Sequence, residues 1–309
     1  MRIAVIGAGN WGINLVRNLR ELGVLSHVVE AVADLRDRVR CEVDDIELLD
    51  DYRPLLEADI DAVAIATPVP THAAIAGEFI AAGKDVFIEK PMTFTVAEAE
   101  ALVAGAEQRG RILMVGHLLL YQPAIAWLKA YLDAGELGKV FSFHQERMKL
   151  GRARVAENVL WSLGVHDVAV LLHLSGSAPV ATSFSGHCGL QEDIADDTYL
   201  HMEFTGGIKA HLHNSWLWPE NRRRLTVVGE KGMLVYDELA QSVVLHRKFI
   251  DSNLQNQDQG EEVVFEGSGQ PLRLEMEHFI ECIKTRSTPR SDGRNGLDVV
   301  RVLDSAKDS

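Results

Sequence analysis

Residues 2–12 read RIAVIGAGNWG. The apolar run 2–6 stops at a glycine, as a buried parallel strand does. Gly7, Gly9 and Gly12 then form a GxGxxG pattern. Trp11, Leu15, Val16 and Leu19 follow with helical spacing over 11–22, up to Gly23. Strand, glycine turn and helix in that order make a phosphate cradle. Gly7 permits the tight turn, Gly9 lets a pyrophosphate approach the backbone, and Gly12 lets helix and strand pack closely. The helix start around Asn10 and Trp11 offers free N–H groups and the positive end of a dipole. This stretch predicts a dinucleotide-binding α/β fold.

The alternation continues downstream. Strands are expected over 27–33, 62–66, 85–88 and 112–115, with helices over 71–82 and 95–109 and a weak helix in the charged segment 35–57. Strands alternating with such helices argue for βαβ units and a parallel sheet covered on both faces. Asp34 closes the second strand 22 residues beyond Gly12. A carboxylate there accepts hydrogen bonds from an adenosine ribose and repels a 2′-phosphate, favouring NAD over NADP. Arg36 and Arg38 lie close by and weigh the other way. Thr67 and Pro68 end the third strand, and His72 opens the next helix. Glu89, Lys90 and Pro91 end the fourth. Open α/β sheets place their ligands at these C-terminal strand ends. Lys90 reads equally as a partly desolvated, proton-handling amine or as a solvated turn charge. His72 reads as a cleft residue or as a plain helix-start histidine.

Near residue 118 the rhythm changes. A helix over 122–134, a strand over 139–148 and a helix over 160–174 lead into strands over 180–188, 197–204, 208–216, 224–229, 233–236 and 242–247. Gly206-Gly207 reads as a hairpin turn. Residues 251–262, DSNLQNQDQGEE, read as an exposed loop, and helices return over 271–285 and 297–306. The expected organisation is a Rossmann domain over 1–118 and an α+β domain over 119–309 with a large, mostly antiparallel sheet. The C-terminal helices are free to pack back on the first domain.

Composition excludes several classes. With 309 residues and 47% hydrophobic side chains, the chain can bury two cores, so global disorder is excluded. It has 31 Lys and Arg against 45 Asp and Glu, a net charge of −14. No nucleic-acid partner is expected from that balance. Cys41, Cys188 and Cys282 are scattered, the usage of a reducing compartment. No apolar stretch reaches the length of a membrane span. The expectation is a cytoplasmic protein without a membrane partner. His211 and His213 share one face of a strand, but no further ligand stands at metal spacing, so no metal site is expected.

GAGNWG, ATPVPTH over 66–72, EKP over 89–91 and GELGKV over 135–140 stand in this order. Together they resemble the glucose–fructose oxidoreductase, inositol dehydrogenase and MocA-like (Gfo/Idh/MocA) family, and the resemblance spans nearly the whole chain. It implies a Rossmann domain followed by an open-sheet domain, a bound NAD or NADP, and oxidation of a sugar, cyclitol or nucleotide-sugar hydroxyl. It also implies a homodimer or homotetramer formed through the sheet. Lys90 would touch the reacting hydroxyl and the nicotinamide ribose, and His166 in WSLGVHD would be the active-site histidine. Many members carry an aspartate four residues before that histidine. Ser162 stands there instead, which leaves Lys90 and His166 as the proton-handling pair with interchangeable roles. Gly7, Gly9, Asn10, Trp11, Gly12, Asp34, Thr67, Pro68, His72, Glu89 and Lys90 would face the cofactor.

The stretches 11–23, 115–125, 157–167 and 214–234 narrow the likeness to the UDP-N-acetylglucosamine 3-dehydrogenases, which oxidise a nucleotide sugar at C3. Tyr121, Arg154, Asn158 and Trp161 are then candidates for the sugar nucleotide. Arg147, Lys149 and Arg152 join Arg154 as a cationic stretch for a diphosphate. Each of these also reads as a solvated edge charge, and Trp161 as core. The alternatives are a dehydrogenase of a free sugar or cyclitol, an NAD-dependent glycosidase, and a non-catalytic NAD-binding regulator.

Overall fold

The computed structural model describes residues 1–43, 45–155 and 157–306. It divides into two units, Met1–Leu118 with Gln270–Val300, and Leu119–Gly269 with Arg301–Ser309. The first holds strands β1 (Ile3–Ile6), β2 (Leu25–Val29), β3 (Glu47–Leu49), β4 (Ala62–Ile65), β5 (Asp85–Ile88) and β6 (Leu113–Val115). All pair in parallel in the order β3-β2-β1-β4-β5-β6. Helices α1 (Gly12–Glu21), α2 (Ala33–Glu42), α3 (His72–Ala81) and α4 (Val96–Arg109) connect them. The central strands are buried along their whole length, which is why they read as unbroken apolar runs. Ala4, Ile6, Val63, Ile65, Val86 and Ile88 pack on one face with Phe79, Ile80 and Leu102. Strand order reverses between β1 and β4. The C-terminal ends of β1, β4 and β5 therefore border the crevice where doubly wound sheets bind ligands.

The second unit contains α5 (Pro123–Asp133), β7 (Val140–Met148) and α6 (Val165–Ser175), the last preceded by a π-type turn at Leu160–Gly164. Strands β8 (Ala181–His187), β9 (Asp197–Glu203), β10 (Lys209–Ser215), β11 (Arg222–Gly229), β12 (Gly232–Asp237), β13 (Ser242–Ile250) and β14 (Asn256–Glu266) follow. The sheet runs β14-β13-β12-β11-β7-β10-β9-β8, antiparallel except where β7 meets β10. Its strands alternate: Phe143, Leu200, Leu212, Leu225 and Val227 are buried, while His144, Tyr199 and His201 face out. Gly206 and Gly207, at φ +83° and +82°, turn β9 into β10. The chain then returns to the first unit through α7 (Pro271–Thr285) and enters α8 (Gly293–Ser305).

Three expectations are corrected. Residues 35–57 are not one helix; α2 gives way to the short edge strand β3 and a 3-10 turn at Arg53–Leu56. Much of the polar stretch 251–262 belongs to β14 rather than to a loop. As the outermost strand, β14 has a single neighbour and mostly exposed side chains, so it lacks the alternation that marks a half-buried strand. Strand β2 ends at Val29, not at 33, and Asp34 lies exposed in the first turn of α2.

Candidate active site

The glycine loop fits a dinucleotide. A Cβ on Gly12 would lie 2.0 Å from the Gly7 carbonyl oxygen, and one on Gly7 would lie 2.9 Å from the Thr67 nitrogen. Gly9 meets nothing within 4 Å, so its outer side is open to a ligand. No side chain caps α1; the Ile13 and Asn14 N–H groups bond the Gly9 and Trp11 carbonyls, and the positive end of the helix dipole is offered to a pyrophosphate. Asn10 is exposed at the loop tip.

The acid at the end of β2 is Glu30, which the strand count missed. Its carboxylate accepts the Ala8 N–H at 2.8 Å and the Val32 N–H at 3.0 Å. Glu30 is buried, whereas Asp34 points to solvent. The signal was present in HVVEAVA: an acid inside an apolar run marks the strand's end. Arg36 donates to the Glu30 and Ala31 carbonyls, both at 2.7 Å.

Thr67 and Pro68 follow β4, with the Thr67 hydroxyl 2.7 Å from that of Thr71. His72 is buried beneath them. Its Nε2 lies 2.8 Å from the Thr67 carbonyl and its Nδ1 within 3.3 Å of the Pro91 and Met92 carbonyls. Burial lowers its pKa. A neutral ring donates through one of its two nitrogens, so one of these carbonyl groups receives its proton. His72 thus packs between the Thr67 turn and the Lys90–Pro91 turn, with both ring nitrogens turned to main-chain carbonyls.

Lys90 is half-buried at the end of β5, and its bond to Pro91 is cis. The neighbouring Glu89 is buried. It accepts the Trp11 indole N–H and, at 3.2 Å, the Lys90 main-chain N–H. Burial pushes it up to about 7, against the pull of Trp11 and Lys90. His117, just beyond β6, is also buried, with neither ring nitrogen bonded among the described residues. Burial, reinforced by the Lys90 charge, lowers it to about 3.

In the second unit the π-type turn leads directly into the first turn of α6, which carries half-buried His166. Such turns recur at functional sites. Here the turn rests on β10: a Cβ on Gly164 would lie 2.2 Å from Asn214 Oδ1. Asn158 Oδ1 accepts the Trp161 N–H at 3.0 Å, so this side chain caps the turn. Trp161 and Tyr121 are buried at 5% and 4% exposure, while Arg154 is exposed beside Glu157 at 3.9 Å. Arg147 is not available to a diphosphate. Its Nε donates to both Asp167 oxygens, at 2.8 and 3.0 Å, and its Nη2 to Glu238 at 2.6 Å. Asp167 also accepts from Asn214, and Glu238 from Arg223. Among the described residues no group of three or more His, Cys, Asp or Glu side chains is placed to hold a metal ion. No described helix is long and apolar enough to cross a membrane.

Family comparison agrees with both units. Residues 1–117 match the oxidoreductase family with an NAD-binding Rossmann fold, and residues 125–235 match the Gfo/Idh/MocA C-terminal domain. The chain belongs to the Gfo/Idh/MocA oxidoreductase family. UDP-N-acetylglucosamine 3-dehydrogenase of Acidithiobacillus ferrooxidans is 28% identical over 97% of this chain and 94% of its own. A solved structure under that name from the same organism superposes with a TM-score of 0.89 at 27% identity, covering 99% of this chain and 96% of the other. An oxidoreductase structure from Magnetospirillum magnetotacticum is 33% identical, with a TM-score of 0.86 and 99% coverage of both chains. The scyllo-inositol 2-dehydrogenase of Bacillus subtilis is 27% identical over 94% of this chain and 88% of its own. As a Gfo/Idh/MocA oxidoreductase, the chain carries its EKP lysine on the first unit and its candidate histidine on the second.

Proposed function

We propose that this oxidoreductase uses NAD to oxidise a secondary hydroxyl of a nucleotide sugar, C3 of UDP-N-acetylglucosamine. The end-to-end likeness to an enzyme of that name, across both units, carries the reading. Glu30 supports NAD over NADP. Its buried carboxylate beside the glycine loop suits a ribose diol and repels a 2′-phosphate, and Arg36 is engaged with main-chain carbonyls. Bound NAD supplies a hydride acceptor. The protein's own part is to hold the hydroxyl and remove its proton. His166, in the first turn of α6, is suited to general base catalysis near neutral pH. Lys90 is suited to hydrogen-bond the oxygen as negative charge develops. Tyr121, Trp161 and Arg154 remain the sugar-nucleotide candidates, and self-association through the second sheet is part of this reading.

The inositol dehydrogenase relative supports a second reading, oxidation of a free cyclitol. Purified protein with NAD and a panel of UDP-sugars, glucose and inositols decides between them, read by absorbance of the reduced nicotinamide. NADH formed only with UDP-N-acetylglucosamine supports the first reading. NADH formed with a free cyclitol replaces it with the second.

A further inference from the structure

Helix α6 is entered through a turn wider than a helix needs. The Val165 N–H bonds the Leu160 carbonyl, five residues back, where an α-helix would take that of Trp161. Moving such a turn along the chain by one residue rotates the residues it passes by about 100°. His166 comes one residue after Val165, within that range. The backbone ladder alone therefore leaves the direction of its imidazole open. Two fixed points, one on each side of His166, close it.

The first is Gly164, pressed on β10. A Cβ there would lie 2.2 Å from Asn214 Oδ1 and 2.7 Å from Leu160 Cδ1. The second is Asp167, 0% exposed, whose carboxylate takes Arg147 Nε at 2.8 and 3.0 Å and Asn214 Nδ2 at 3.1 Å. Asn214 and Arg147 stand opposite each other in the register of β10 and β7, so two neighbouring strands hold Asp167 at one height. Arg147 is braced in turn by Glu238, and Glu238 by Arg223, which stands opposite Arg147 on β11. Asn214 serves both fixed points. Its Oδ1 has no hydrogen-bond partner among the described residues and lies against Gly164, so the bond to Asp167 sets how its amide faces. Upstream, the Val159 N–H donates to the Ala195 carbonyl at 3.0 Å and ties down the start of the wide turn.

We infer that Asp167 and Asn214 are the positioning residues of His166: they select the one rotation of the first turn of α6 in which its imidazole serves the reaction. This rests on the reading of His166 as general base and deepens it. Asp167 follows His166 directly and so points about 100° away around the helix. It acts through the backbone, with its charge spent on Arg147 and its remaining acceptor capacity on Asn214. A reacting group misplaced by about 1 Å loses on the order of 10²-fold in rate, so the rotation matters to catalysis as well as to stability. Asn214→Ala releases the wide turn while the ion pairs of Arg147 with Asp167 and Glu238 stay in place, which keeps the variant folded.

The test reads His166 itself, by NMR of the full chain labelled in its histidine rings, without cofactor or substrate. The His166 signal is the one missing from His166→Asn. It shifts or splits in Asn214→Ala, and again in Gly164→Ala, which crowds the same amide from the other side. Steady-state kinetics follow the signal. Asn214→Ala lowers kcat about tenfold to a hundredfold and leaves the KM for NAD unchanged. Asp167→Ala does the same, and Asp167→Asn, which still offers Arg147 an oxygen, recovers most of the loss. A His166 signal unmoved in both Asn214→Ala and Gly164→Ala overturns the inference whatever the activity. So does a lowered urea midpoint in Asn214→Ala with kcat and signal unchanged, the mark of a purely structural contact. A moved signal in a protein whose His166→Asn variant turns over normally upholds the anchoring and faults the reading of His166 as base.

Discussion

The Glu30 carboxylate accepts the main-chain N–H of Ala8 at 2.8 Å, which fixes an acid against the glycine loop that Asp34 does not approach. Hydrogen bonds to a charged group contribute about 1.5–3 kcal/mol each. Glu30→Ala therefore weakens NAD binding roughly tenfold to a hundredfold. Asp34→Ala leaves it nearly unchanged. Glu30→Gln keeps an acceptor but loses the charge, so discrimination against NADP narrows. Titration calorimetry with both cofactors checks all three. A large loss in Asp34→Ala with none in Glu30→Ala would restore the original assignment.

Arg147 sits among Asp167 and Glu238 with every member of the group buried or nearly so. Removing one partner of a buried ion pair strands the other charge, at a cost of about 3–5 kcal/mol. Arg147→Met lowers unfolding stability by that order, read from the urea midpoint. Arg154→Ala, at an exposed pair, changes it by less than about 0.5 kcal/mol. A nucleotide-sugar KM that rises in Arg147→Met with an unchanged urea midpoint would instead return Arg147 to the substrate.

What the sequence made legible follows the strength of local patterns. GAGNWG and the runs AVAIA and DVFIE announce a parallel sheet because strands buried on both faces carry unbroken apolar residues. The second sheet was visible through its alternation and the Gly206-Gly207 turn. Glu30 was easily passed over because apolar residues continue beyond it, and the acid within the run was the sole sequence mark of where β2 stops. β14 was hidden because an edge strand need not alternate. His72 in the first unit and Asn158 in the second carried residue types suited to a site, but their polar atoms answer to backbone groups that no spacing rule reveals. Glu275 lies within LRLEMEHF, where helical spacing alone gives no hint of a buried acid.

His166 follows a turn that Gly164 allows and Asn158 caps. General base catalysis contributes about 10²–10⁴-fold, so His166→Asn lowers kcat by that order while NAD affinity holds. Lys90→Met lowers kcat comparably and also weakens NAD, because its expected partners include the nicotinamide ribose. Gly164→Ala forces Asn214 aside and lowers kcat with less effect on cofactor binding. Steady-state kinetics beside calorimetry separate these outcomes. Normal turnover in both His166→Asn and Lys90→Met would remove the pair from the mechanism.

His117 gives the protein an acid-sensitive component. Its folded pKa, about 3, is depressed from 6.5 by burial and the Lys90 charge. The unfolded chain takes up a proton near 6.5 and the folded protein does not. The contribution of a neutral His117 is therefore complete above pH 6.5 and falls as pH drops towards 3, by up to about 1.4 kcal/mol per pH unit. Glu89 and Glu275 act in the opposite sense. Their folded pKa values are raised, so they cost stability above the unfolded value of 4.5 and the cost is relieved as pH falls. With two acids set against one histidine, native stability rises as pH falls from 6.5 to 4.5, so the histidine loss is outweighed in the native protein alone. The difference between native protein and His117→Phe removes the shared acid contribution. Measured by urea unfolding, it shifts by about 2 kcal/mol in favour of His117→Phe between pH 6.5 and pH 5. A difference that stays constant over that window would mean that His117 takes up its proton in the folded protein as readily as in the unfolded chain.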